Sequence, residues 1–588
     1  MSRGELIVLK FGGSVLRDER ALATAVHELY RWVRAGARVV AVVSAFEGTT
    51  DALIRKSVGF TEAPGEGAQA LLLATGELTT AAMLGLALDR AGVPNRVLPP
   101  AAVGLRTRGP VLDSACVSID VDSMKRHLAE VPVAVVPGFI GLAHDGTVTL
   151  LGRGGSDLSA LFLADQLEAD RCRLIKDVGG LFERDPKLPH ADGPAKRFTS
   201  LSWDDALSLD GKIIQHKAVR YAQDREVTFE IGGFLSPLVS RIGNVGRDLQ
   251  TVGVGRTPLR VAVLGCGSVG RGVVEHLAER PDLFRVSAVL VRDAHRHADS
   301  GVDRAVVTTD HSCEAVCNAE VVVELIGGIE PAFGHVRAAL ERGAHVVTAN
   351  KALIAAHGSE LSELARATRR LLLYSAAVGG GVPMIESVRR FAALDTITDI
   401  RGIVNGTCNF VLDRVAAGLA FEDAVTEAQS AGFAEADPSR DLDGVDAAEK
   451  LIVLAREAWG VSLPLSQVSL ERLSGAACGK AGPGQVVRQV SSLSQSEGVV
   501  RASVQLEAVD RDSPFGRNTG SGNILTIRGQ RLAPLTVRGL GAGRWPTSES
   551  VFADCLDVLL FEGDGANDPE SKTVAAADKG VREAVHAE

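Results

Sequence analysis

The sequence has no surplus of positive charge: 63 Lys and Arg face 73 Asp and Glu, which gives a net charge of −10 at pH 7. Binding to nucleic acid or to a membrane surface requires a basic face, so this balance argues against both kinds of partner. The sequence also lacks an apolar run of membrane-spanning length, and its first residues lack the pattern of a signal peptide. These absences favour small-molecule chemistry in the cytoplasm.

Cysteine is sparse and scattered. Of the eight cysteines, Cys313 and Cys317 form the only close pair, and their spacing does not indicate a zinc knuckle or a redox motif. We expect each cysteine to be a small buried residue in a reducing compartment. No internal repeat of solenoid period is present, which excludes a repeat architecture.

The sequence is long enough for several domains. At 588 residues it exceeds one hydrophobic core, and about 100–200 residues per domain predicts three or four units. Strand-like runs alternate with helical patterns from residue 5 to 136, and the alternation restarts at 259, which predicts an α/β fold. We place a linker at 236–257, and we expect the polar tail at 561–588 to be flexible.

A glycine-rich turn lies between a predicted strand at 260–264 and a predicted helix. It reads Gly265-Cys266-Gly267-Ser268-Val269-Gly270. Glycines allow a tight turn and close approach of the backbone, and the helix N-terminus presents N–H groups to a pyrophosphate. This context favours a Rossmann dinucleotide site over the alternative of a merely glycine-rich turn.

The next predicted strand ends where an NAD-specific protein places an acid. This sequence has Arg292 there, with Arg296 shortly after, and a basic pair suits the 2′-phosphate of NADP. NAD stays possible, because the alternative is that Arg292 is a solvated surface residue. A later strand at 321–326 ends in Gly327, and a small residue at that point leaves room for a nicotinamide.

Two lysines are candidates for moving a proton in alcohol oxidation. Lys351 follows a predicted strand, and Lys450 lies four residues after Asp446 on a predicted helix, so the acid and the amine share a face. Glu435 and Asp441 supply carboxylates that could hold an ammonium group. The alternative for Asp446 and Lys450 is an ordinary surface ion pair.

Residues 259–560 resemble homoserine dehydrogenase along their length. The resemblance rests on the nucleotide turn and on the runs Glu324-Leu325-Ile326-Gly327-Gly328, Thr348-Ala349-Asn350-Lys351, Ala377-Val378-Gly379-Gly380-Gly381-Val382-Pro383, Asn405-Gly406-Thr407-Cys408-Asn409, 435–450 and Gly541-Ala542-Gly543. It implies interconversion of L-homoserine and L-aspartate 4-semialdehyde, with Lys351 and Lys450 at the reacting centre.

The same resemblance implies further roles. Glu435, Asp441 and Asp446 would hold the substrate, and Gly541 would lie beside the cofactor. A monovalent cation, Na⁺, would bind backbone carbonyls of Val378, Gly380 and Val382. Two departures from the family pattern are Ser375 in place of an acid, and Pro-Ser-Arg after Asp437.

The N-terminal half has two phosphate-binding features. Lys10 precedes a glycine turn, and Gly152-Arg153-Gly154-Gly155-Ser156-Asp157 concentrates N–H donors, an arginine and a carboxylate. The alternative for the second feature is a hairpin-like glycine loop, which leaves the arginine and the aspartate together unexplained.

With these features and several shorter runs, the first half resembles aspartate kinase of the amino-acid kinase family, an αβα sandwich. The shorter runs are Ser44-Ala45, Thr49-Thr50-Asp51, Ala74-Thr75-Gly76-Glu77, Asp177-Val178-Gly179-Gly180 and Gly211-Lys212. The resemblance implies that Lys10 stabilises the transferred phosphoryl group of ATP, with Mg²⁺. The implied aspartate ligands are Thr50, Glu77 and Arg153, and the implied nucleotide-side residues are Asp177, Lys187 and Lys212.

This half departs from its family in a shorter first glycine turn and at four positions: Leu78, Lys176, where threonine is usual, Phe182 and Lys187. Together these departures put the activity in doubt more than the fold. The alternatives are therefore a homoserine dehydrogenase carrying a degenerate, regulatory kinase-like domain and a non-catalytic NADP-binding sensor.

The resemblances predict a domain order: a kinase-like domain at 1–235, the linker, a Rossmann domain at 258–383, an α+β catalytic and dimerisation domain at 384–540, and a segment at 541–560 that returns to the Rossmann domain. They imply a homo-oligomer, a dimer or higher. The linker is too short for an ACT regulatory unit, so we expect no inhibition by threonine or lysine.

Overall fold

The computed structural model describes residues 4–186, 188, 195–209, 213–236, 238–251, 257–297 and 302–564. Three residues or segments predicted above lie outside these ranges: Lys187, Lys212 and 565–588. The side chain of Arg296 is also outside the described part. The chain divides into two units, one holding the described residues up to Thr251 and the other those from Thr257 onward.

The first unit contains thirteen strands and eight α-helices among its described residues. The strands are β1 (Leu6–Phe11), β2 (Arg38–Val43), β3 (Asn95–Val97), β4 (Arg106–Arg108), β5 (Ala115–Ser118), β6 (Val133–Pro137), β7 (Ile140–Leu142), β8 (Val148–Leu150), β9 (Arg171–Ile175), β10 (Lys196–Ser202), β11 (Phe229–Gly232), β12 (Val239–Gly243) and β13 (Asp248–Thr251). The helices are α1 (Ala21–Arg34), α2 (Thr49–Phe60), α3 (Glu66–Arg90), α4 (Pro100–Val103), α5 (Val121–Glu130), α6 (Gly155–Leu167), α7 (Trp203–Ser208) and α8 (His216–Asp224).

A nine-stranded sheet forms the centre of this unit, in the order β13-β10-β12-β11-β9-β1-β2-β6-β3. Strand β1 is apolar and buried over nearly its whole length, as expected of a central strand covered on both faces. It pairs in parallel with β2 and β9. Because parallel strands end at the same edge, Lys10 in β1 and Lys176 just after β9 come together there.

The predicted linker at 236–257 is wrong between Val239 and Thr251. Strand β12 pairs with β10 and β11, and β13 pairs with β10 at the edge of the nine-stranded sheet. Ser240 in β12 is fully buried and donates to Phe198 O at 2.5 Å. Each strand is too short to show a period, so only its sheet partners identify it.

One described helix, α3, is long and apolar enough to cross a membrane by length and composition, which departs from the expectation of no such run. Half of its apolar window is buried inside the fold. Its inner face packs on β6 and β8, and Ala70, Leu73 and Ala74 join a cluster with Ile140 and Leu150. This burial is typical of a core helix in a water-soluble fold.

The second unit contains twelve strands and ten α-helices among its described residues. The strands are β14 (Leu259–Leu264), β15 (Phe284–Leu290), β16 (Val307–Thr308), β17 (Val321–Glu324), β18 (His345–Thr348), β19 (Leu372–Leu373), β20 (Ile397–Ile403), β21 (Val468–Leu470), β22 (Gln485–Ser496), β23 (Val499–Asp510), β24 (Gly522–Gly529) and β25 (Leu535–Leu540). The helices are α9 (Ser268–Ala278), α10 (Glu314–Cys317), α11 (Ala332–Glu341), α12 (Lys351–Ala367), α13 (Met384–Leu394), α14 (Gly406–Ala416), α15 (Phe421–Ser430), α16 (Ser439–Leu442), α17 (Val445–Trp459) and α18 (Arg544–Asp564).

The first sheet of this unit has the order β16-β15-β14-β17-β18-β19, with every pair parallel. Numbered from β14, this is the 3-2-1-4-5-6 order of a Rossmann fold. The predicted α/β fold class is confirmed. In such sheets the ligand binds beyond the carboxyl ends of the strands, where the direction of strand addition reverses, here between β14 and β17.

The second sheet, β21-β23-β22-β20-β24-β25, is antiparallel except for the edge pair of β21 and β23. Its core is continuous with that of the Rossmann sheet through α12, α13 and α17. Helix α18 then returns to pack on α9, where Ser548 approaches Gly272 so closely that an added Cβ would lie 2.7 Å from its Oγ. The antiparallel sheet and the Rossmann sheet therefore belong to one packed unit.

Candidate functional site

The three glycines of the turn after β14 differ in the space that surrounds them. Gly265 has a φ of +100°, and a Cβ there would lie 2.7 Å from Leu325 O. A Cβ on Gly270 would lie 2.2 Å from Gly265 O, whereas a Cβ on Gly267 would meet no atom within 4 Å. The first glycine therefore makes the turn, the last allows α9 to pack, and the middle one leaves backbone open to a ligand. Ser268 and Val269 begin α9, whose N-terminus faces this opening.

Beyond β15, Val291 is buried and Arg292 is exposed. The carboxylate of Asp293 accepts a hydrogen bond from the backbone N–H of His295 at 3.0 Å, so it is folded back onto its own loop. Arg292 therefore offers an exposed positive side chain at this strand end.

Lys351, Asp446 and Lys450 form one cluster. The carboxylate of Asp446 lies 3.0 Å from Lys351 Nζ and 2.7 Å from Lys450 Nζ. Burial alone would raise the pKa of Asp446, but the two ammonium groups outweigh it and hold that pKa well below its usual range. In return Asp446 raises the pKa of Lys351, against the opposing effect of burial. Asp446 and Lys351 are therefore both held in their charged forms.

Asn405 ties this cluster to its surroundings, and the sequence analysis did not single out its role. Its amide donates to Asp441 at 2.7 Å and to Asp446 at 2.8 Å, while its oxygen caps α14 by accepting from Cys408 N. Burial, and then the nearby charge of Asp446, raise the pKa of Asp441. The sequence did contain a signal for this role, because Asn405 begins the run Asn405–Asn409 that resembles homoserine dehydrogenase, and asparagine is a common N-cap of a helix.

A cavity of about 550 Å³ opens beside the cluster. Its lining residues are Gly327, Gly328, Ile329, Ala349, Asn350, Lys351, Ala352, Arg440 and Glu449. Gly327 and Gly328 have positive φ, and a Cβ on either would meet no atom within 4 Å. Lys450 is not among the described lining residues. The cavity thus has Lys351 on one wall and bare backbone on another, as a nicotinamide and a small substrate would require.

Two residues of that cavity were missed by the sequence analysis. Arg440 Nη2 lies 2.5 Å from Glu449 Oε1, which closes one side of the cavity with an ion pair. Beneath the glycines, buried Glu324 accepts hydrogen bonds from the N–H of Ile326 at 2.7 Å and from Thr348 Oγ1 at 2.6 Å. Glu324 therefore shapes the loop that carries Gly327.

Other predicted residues lie outside the cluster. Glu435 is exposed on the loop before α16 and makes none of the described ion pairs of Lys351 or Lys450. Gly541 is fixed by packing, since a Cβ there would lie 1.8 Å from Asn523 Nδ2. That amide group donates to Val404 O at 3.3 Å, the same carbonyl that accepts from Lys450 at 2.6 Å.

The loop at 378–382 is buried and contacts the segment around Gly541. A Cβ on Gly380 would lie 2.5 Å from Gly541 O, and Val382 O already accepts from Met384 N at 2.7 Å. At Ser375, where the family carries an acid, the buried carboxylate of Asp554 accepts from the hydroxyl at 2.7 Å. Helix α18 therefore supplies a negative charge that the local sequence lacks.

In the first unit, Lys10, Asp157 and Lys176 form a second buried cluster of two lysines and one aspartate. The distances from the carboxylate are 2.6 Å to Lys10 Nζ and 3.0 Å to Lys176 Nζ. Burial lowers the pKa of Lys10 to about 8, with Asp157 opposing this shift and the like charge of Lys176 adding to it. Burial would raise the pKa of Asp157, yet the two lysines lower it to about 2.

Of the three predicted aspartate ligands, Glu77 interacts electrostatically with Lys10 of this cluster. Burial raises the pKa of Glu77 to about 7, partly opposed by a backbone hydrogen bond at Ala45. Thr50 is half-buried on α2, and Arg153 is exposed in the loop before α6. Within the described part of the chain, no hydrogen bond or ion pair joins these three side chains. Asp177 is exposed just after Lys176.

These features define a nicotinamide-dependent oxidoreductase joined to a second α/β domain. Comparison with known families agrees: residues 265–375 match the NAD-binding domain of homoserine dehydrogenases, residues 383–556 match the homoserine dehydrogenase family, and residues 5–230 match the amino acid kinase family. Both resemblances drawn from the sequence are confirmed at this level.

Curated relatives cover the second unit. The homoserine dehydrogenase of Pseudomonas aeruginosa is 35% identical over 54% of this chain and 75% of its own length, and that of Synechocystis sp. is 34% identical over 51% and 73%. A homoserine dehydrogenase structure from Thiobacillus denitrificans has 31% identity and a TM-score of 0.49, covering 53% of this chain and 75% of that one. The chain belongs to the homoserine dehydrogenase family, and it carries an N-terminal amino acid kinase domain.

Proposed function

We propose that the second unit interconverts L-aspartate 4-semialdehyde and L-homoserine with NADP(H), and that the first unit phosphorylates L-aspartate with ATP to 4-phospho-L-aspartate. The two activities are nearby steps on the route from aspartate to threonine and methionine. The observation that carries the dehydrogenase assignment is the cluster of Lys351, Asp446 and Lys450 beside a cavity whose other wall is Gly327 and Gly328.

The nicotinamide, when bound, supplies the hydride for reduction and accepts it for oxidation. Reduction also needs a proton donor at the new hydroxyl oxygen. Lys351 faces the cavity, and its raised pKa keeps the ammonium charged at neutral pH, so it suits that role. Asp446 orients Lys351, and Lys450 holds Asp446 while anchored on Val404 O.

Asp441 and Glu435 suit the ammonium group of the substrate. Burial and the charge of Asp446 raise the pKa of Asp441, and the ammonium group of an arriving substrate would oppose that shift. Glu435 lies on an exposed loop, so its part in binding requires that the loop close over the substrate.

For the cofactor we prefer NADP, because Arg292 points outward where the 2′-phosphate is expected, with Arg296 shortly after. NAD remains the alternative. A relative from Pseudomonas canavaninivorans, 32% identical over 51% of this chain and 96% of its own length, is named as an NAD(+)-dependent homoserine dehydrogenase.

We also assign the loop carbonyls of Val378, Gly380 and Val382 to a monovalent cation such as Na⁺. Hard cations prefer oxygen ligands, and the buried carboxylate of Asp554 beside Ser375 places negative charge near this loop. Val382 O accepts one hydrogen bond, from Met384 N, and a carbonyl oxygen has two lone pairs.

In the kinase domain, catalysis relies on position and charge neutralisation. Lys10 and Lys176 both contact the carboxylate of Asp157, and this cluster would stabilise the negative charge of the phosphoryl group as it passes from ATP to the carboxylate of the substrate aspartate. Thr50, Glu77 and Arg153 would bind aspartate, and Asp177, Lys187 and Lys212 would lie on the nucleotide side. Mg²⁺ would be held mainly by phosphate oxygens and water, which requires no protein cage.

The test is to assay both activities on the purified full chain. Arg153→Ala and Glu77→Ala should raise KM for aspartate or abolish phosphorylation while dehydrogenase activity stays intact, because the two units have separate cores. Arg126→Ala, which removes an exposed arginine from α5, serves as the control. A full chain without any kinase activity would support the alternative of a regulatory kinase-like domain.

We place the enzyme in the cytoplasm, since all eight cysteines are free. Its partners are small-molecule substrates. We further propose a homo-oligomer, a dimer or higher, assembled through the region after Pro383.

A further inference from the structure

The cavity beside Lys351 has a second positive side chain, to which the proposed reaction gives no role. Among the nine described residues that line this cavity, Lys351 and Arg440 are the cationic ones. The ammonium of Lys351 already lies 3.0 Å from the carboxylate of Asp446 and serves the reacting oxygen in the proposed reaction. Arg440 is therefore the cation of the cavity wall that is available to another part of a ligand.

Arg440 is anchored at one of its nitrogens, and the rest of its guanidinium is open. Nη2 donates to Glu449 Oε1 at 2.5 Å, which takes one of the five N–H donors of a guanidinium. The side chain of Arg440 is 61% exposed, whereas that of Glu449 is 11% exposed. The other oxygen of Glu449 is buried and has no hydrogen-bond partner among the described residues. Glu449 is thus the fixed member of the pair, and Arg440 is the member with donors to spare.

The proposed substrates carry two charges on one carbon atom. L-Homoserine and L-aspartate 4-semialdehyde each have an α-ammonium and an α-carboxylate, and Asp441 and Glu435 suit the ammonium. Arg440 directly precedes Asp441 within α16, so one short turn presents both a guanidinium and a carboxylate. A guanidinium matches a carboxylate in charge and in planar shape, and the two groups form parallel hydrogen bonds. Arg440 therefore suits the half of the substrate that the acidic residues would repel.

We propose that Arg440 binds the α-carboxylate of the amino-acid substrate and that Glu449 positions its guanidinium for this contact. The inference rests on the proposed dehydrogenase reaction, and it names the residue that selects an α-amino acid over a simple amino alcohol. Arg440 lies in the Pro-Ser-Arg run, where this chain departs from the family pattern. A cofactor phosphate fits less well, because the pyrophosphate is expected at the N-terminus of α9 and because Glu449 and Asp441 would repel it.

The first test measures homoserine oxidation by the full chain carrying Arg440→Met. KM for homoserine should rise about 10- to 100-fold while kcat changes less than about threefold, because the lost contact is to a group that does not react. Arg440→Lys should recover part of the loss, and NADPH affinity should stay at the wild-type value in both variants. The control is Arg472→Met, which removes a 71% exposed arginine from its pair with Asp443 and should change neither constant.

Two analogues of homoserine identify the group that Arg440 contacts. 4-Hydroxybutyrate lacks the ammonium, 3-amino-1-propanol lacks the carboxylate, and each is measured as an inhibitor that competes with homoserine. In Arg440→Met, inhibition by 4-hydroxybutyrate should weaken by about the factor by which KM for homoserine rises. Inhibition by 3-amino-1-propanol should stay as in the wild type, because this molecule has no carboxylate to lose a partner.

The role of Glu449 is tested by Glu449→Gln, which keeps the size of the side chain but removes its charge. KM for homoserine should rise less than in Arg440→Met, and the double variant should have the KM of Arg440→Met alone, since Glu449 acts through Arg440. Effects that multiply in the double variant would overturn this positioning role. An unchanged KM in Arg440→Met, equal losses for both analogues, or weakened NADPH binding would overturn the carboxylate contact. A wild-type chain that does not oxidise homoserine would instead overturn the proposed reaction.

Discussion

The carboxylate of Asp446 lies 2.7 Å from the ammonium of Lys450, one turn further along α17. Arg337 and Glu341 have the same spacing on α11, at 2.9 Å, but their side chains are about half exposed, 52% and 49%. The Asp446–Lys450 pair is only 10% and 12% exposed, and Asp446 also contacts Lys351 from another helix. Equal spacing along a helix therefore gives a weak surface pair in one place and a buried cluster in the other.

Asp446→Asn should lower kcat for reduction of the semialdehyde by about 10²- to 10⁴-fold, while NADPH binding stays near wild type. The amide keeps the size of the side chain but removes the charge that orients Lys351 and raises its pKa. Steady-state kinetics and a fluorescence titration with NADPH check the two parts. Glu341→Gln breaks the exposed pair of equal spacing and should change neither. A variant Asp446→Asn with most of its kcat would remove this carboxylate from the mechanism.

Two glycine substitutions in the nucleotide turn should separate binding from folding. Gly267→Ala adds a methyl where no atom lies within 4 Å, so the melting temperature should not change, yet NADPH should bind at least about tenfold more weakly because the backbone can no longer approach the pyrophosphate. Gly270→Ala puts a methyl 2.2 Å from Gly265 O and should cost about 1–3 kcal/mol of stability. Thermal melts measure the stability of both variants, and NADPH titrations measure their affinity. Equal melting temperatures would contradict the claim that Gly270 serves folding and Gly267 serves binding.

Arg292→Asp should shift the preference from NADP toward NAD, because an acid at this position repels a 2′-phosphate and accepts a hydrogen bond from a 2′-hydroxyl. The readout is the ratio of kcat/KM for the two cofactors. Arg285→Asp makes the same charge change at an exposed residue near the start of β15, away from the carboxyl end of the sheet, and should leave the ratio unaltered. An unchanged ratio in Arg292→Asp would show that another group reads the phosphate.

The kinase rate should fall as the pH rises through about 8. Lys10 neutralises phosphoryl charge only as an ammonium, and burial lowers its pKa to about 8, so its charge is present below that pH and lost above it. Lys176→Met removes a like charge, which should raise the pKa of Lys10 and move the alkaline limb to higher pH. The pH profile of kcat for ADP formation measures the shift. A limb that stays in place, or moves to lower pH, would mean that Lys176 does not act on Lys10.

The sequence was sufficient to predict the parts of the fold that are formed by residues close together in the chain. The strand, glycine turn and helix at Gly265 are contiguous, so their order alone indicated the Rossmann fold and the positions of the cofactor loop. The pairing of Asp446 with Lys450 was equally accessible, because a helix brings residues four apart together whatever surrounds it. The resemblance to two enzyme families used the same kind of contiguous runs.

Only the tertiary structure decided what depends on residues far apart in the chain. The amide of Asn405 donates hydrogen bonds to both Asp441 and Asp446. Lys176 is the second lysine that contacts Asp157. Asp554 places a carboxylate beside Ser375, where the family usually carries an acid. The sequence predicted a linker where β12 and β13 lie, because a strand of four or five residues is too short to show a hydrophobic period and is recognised only by its pairing in a sheet. Burial and distance between remote segments are set by how the elements pack, and that packing also gives Lys10, Asp157 and Asp446 pKa values that no spacing in the sequence could indicate.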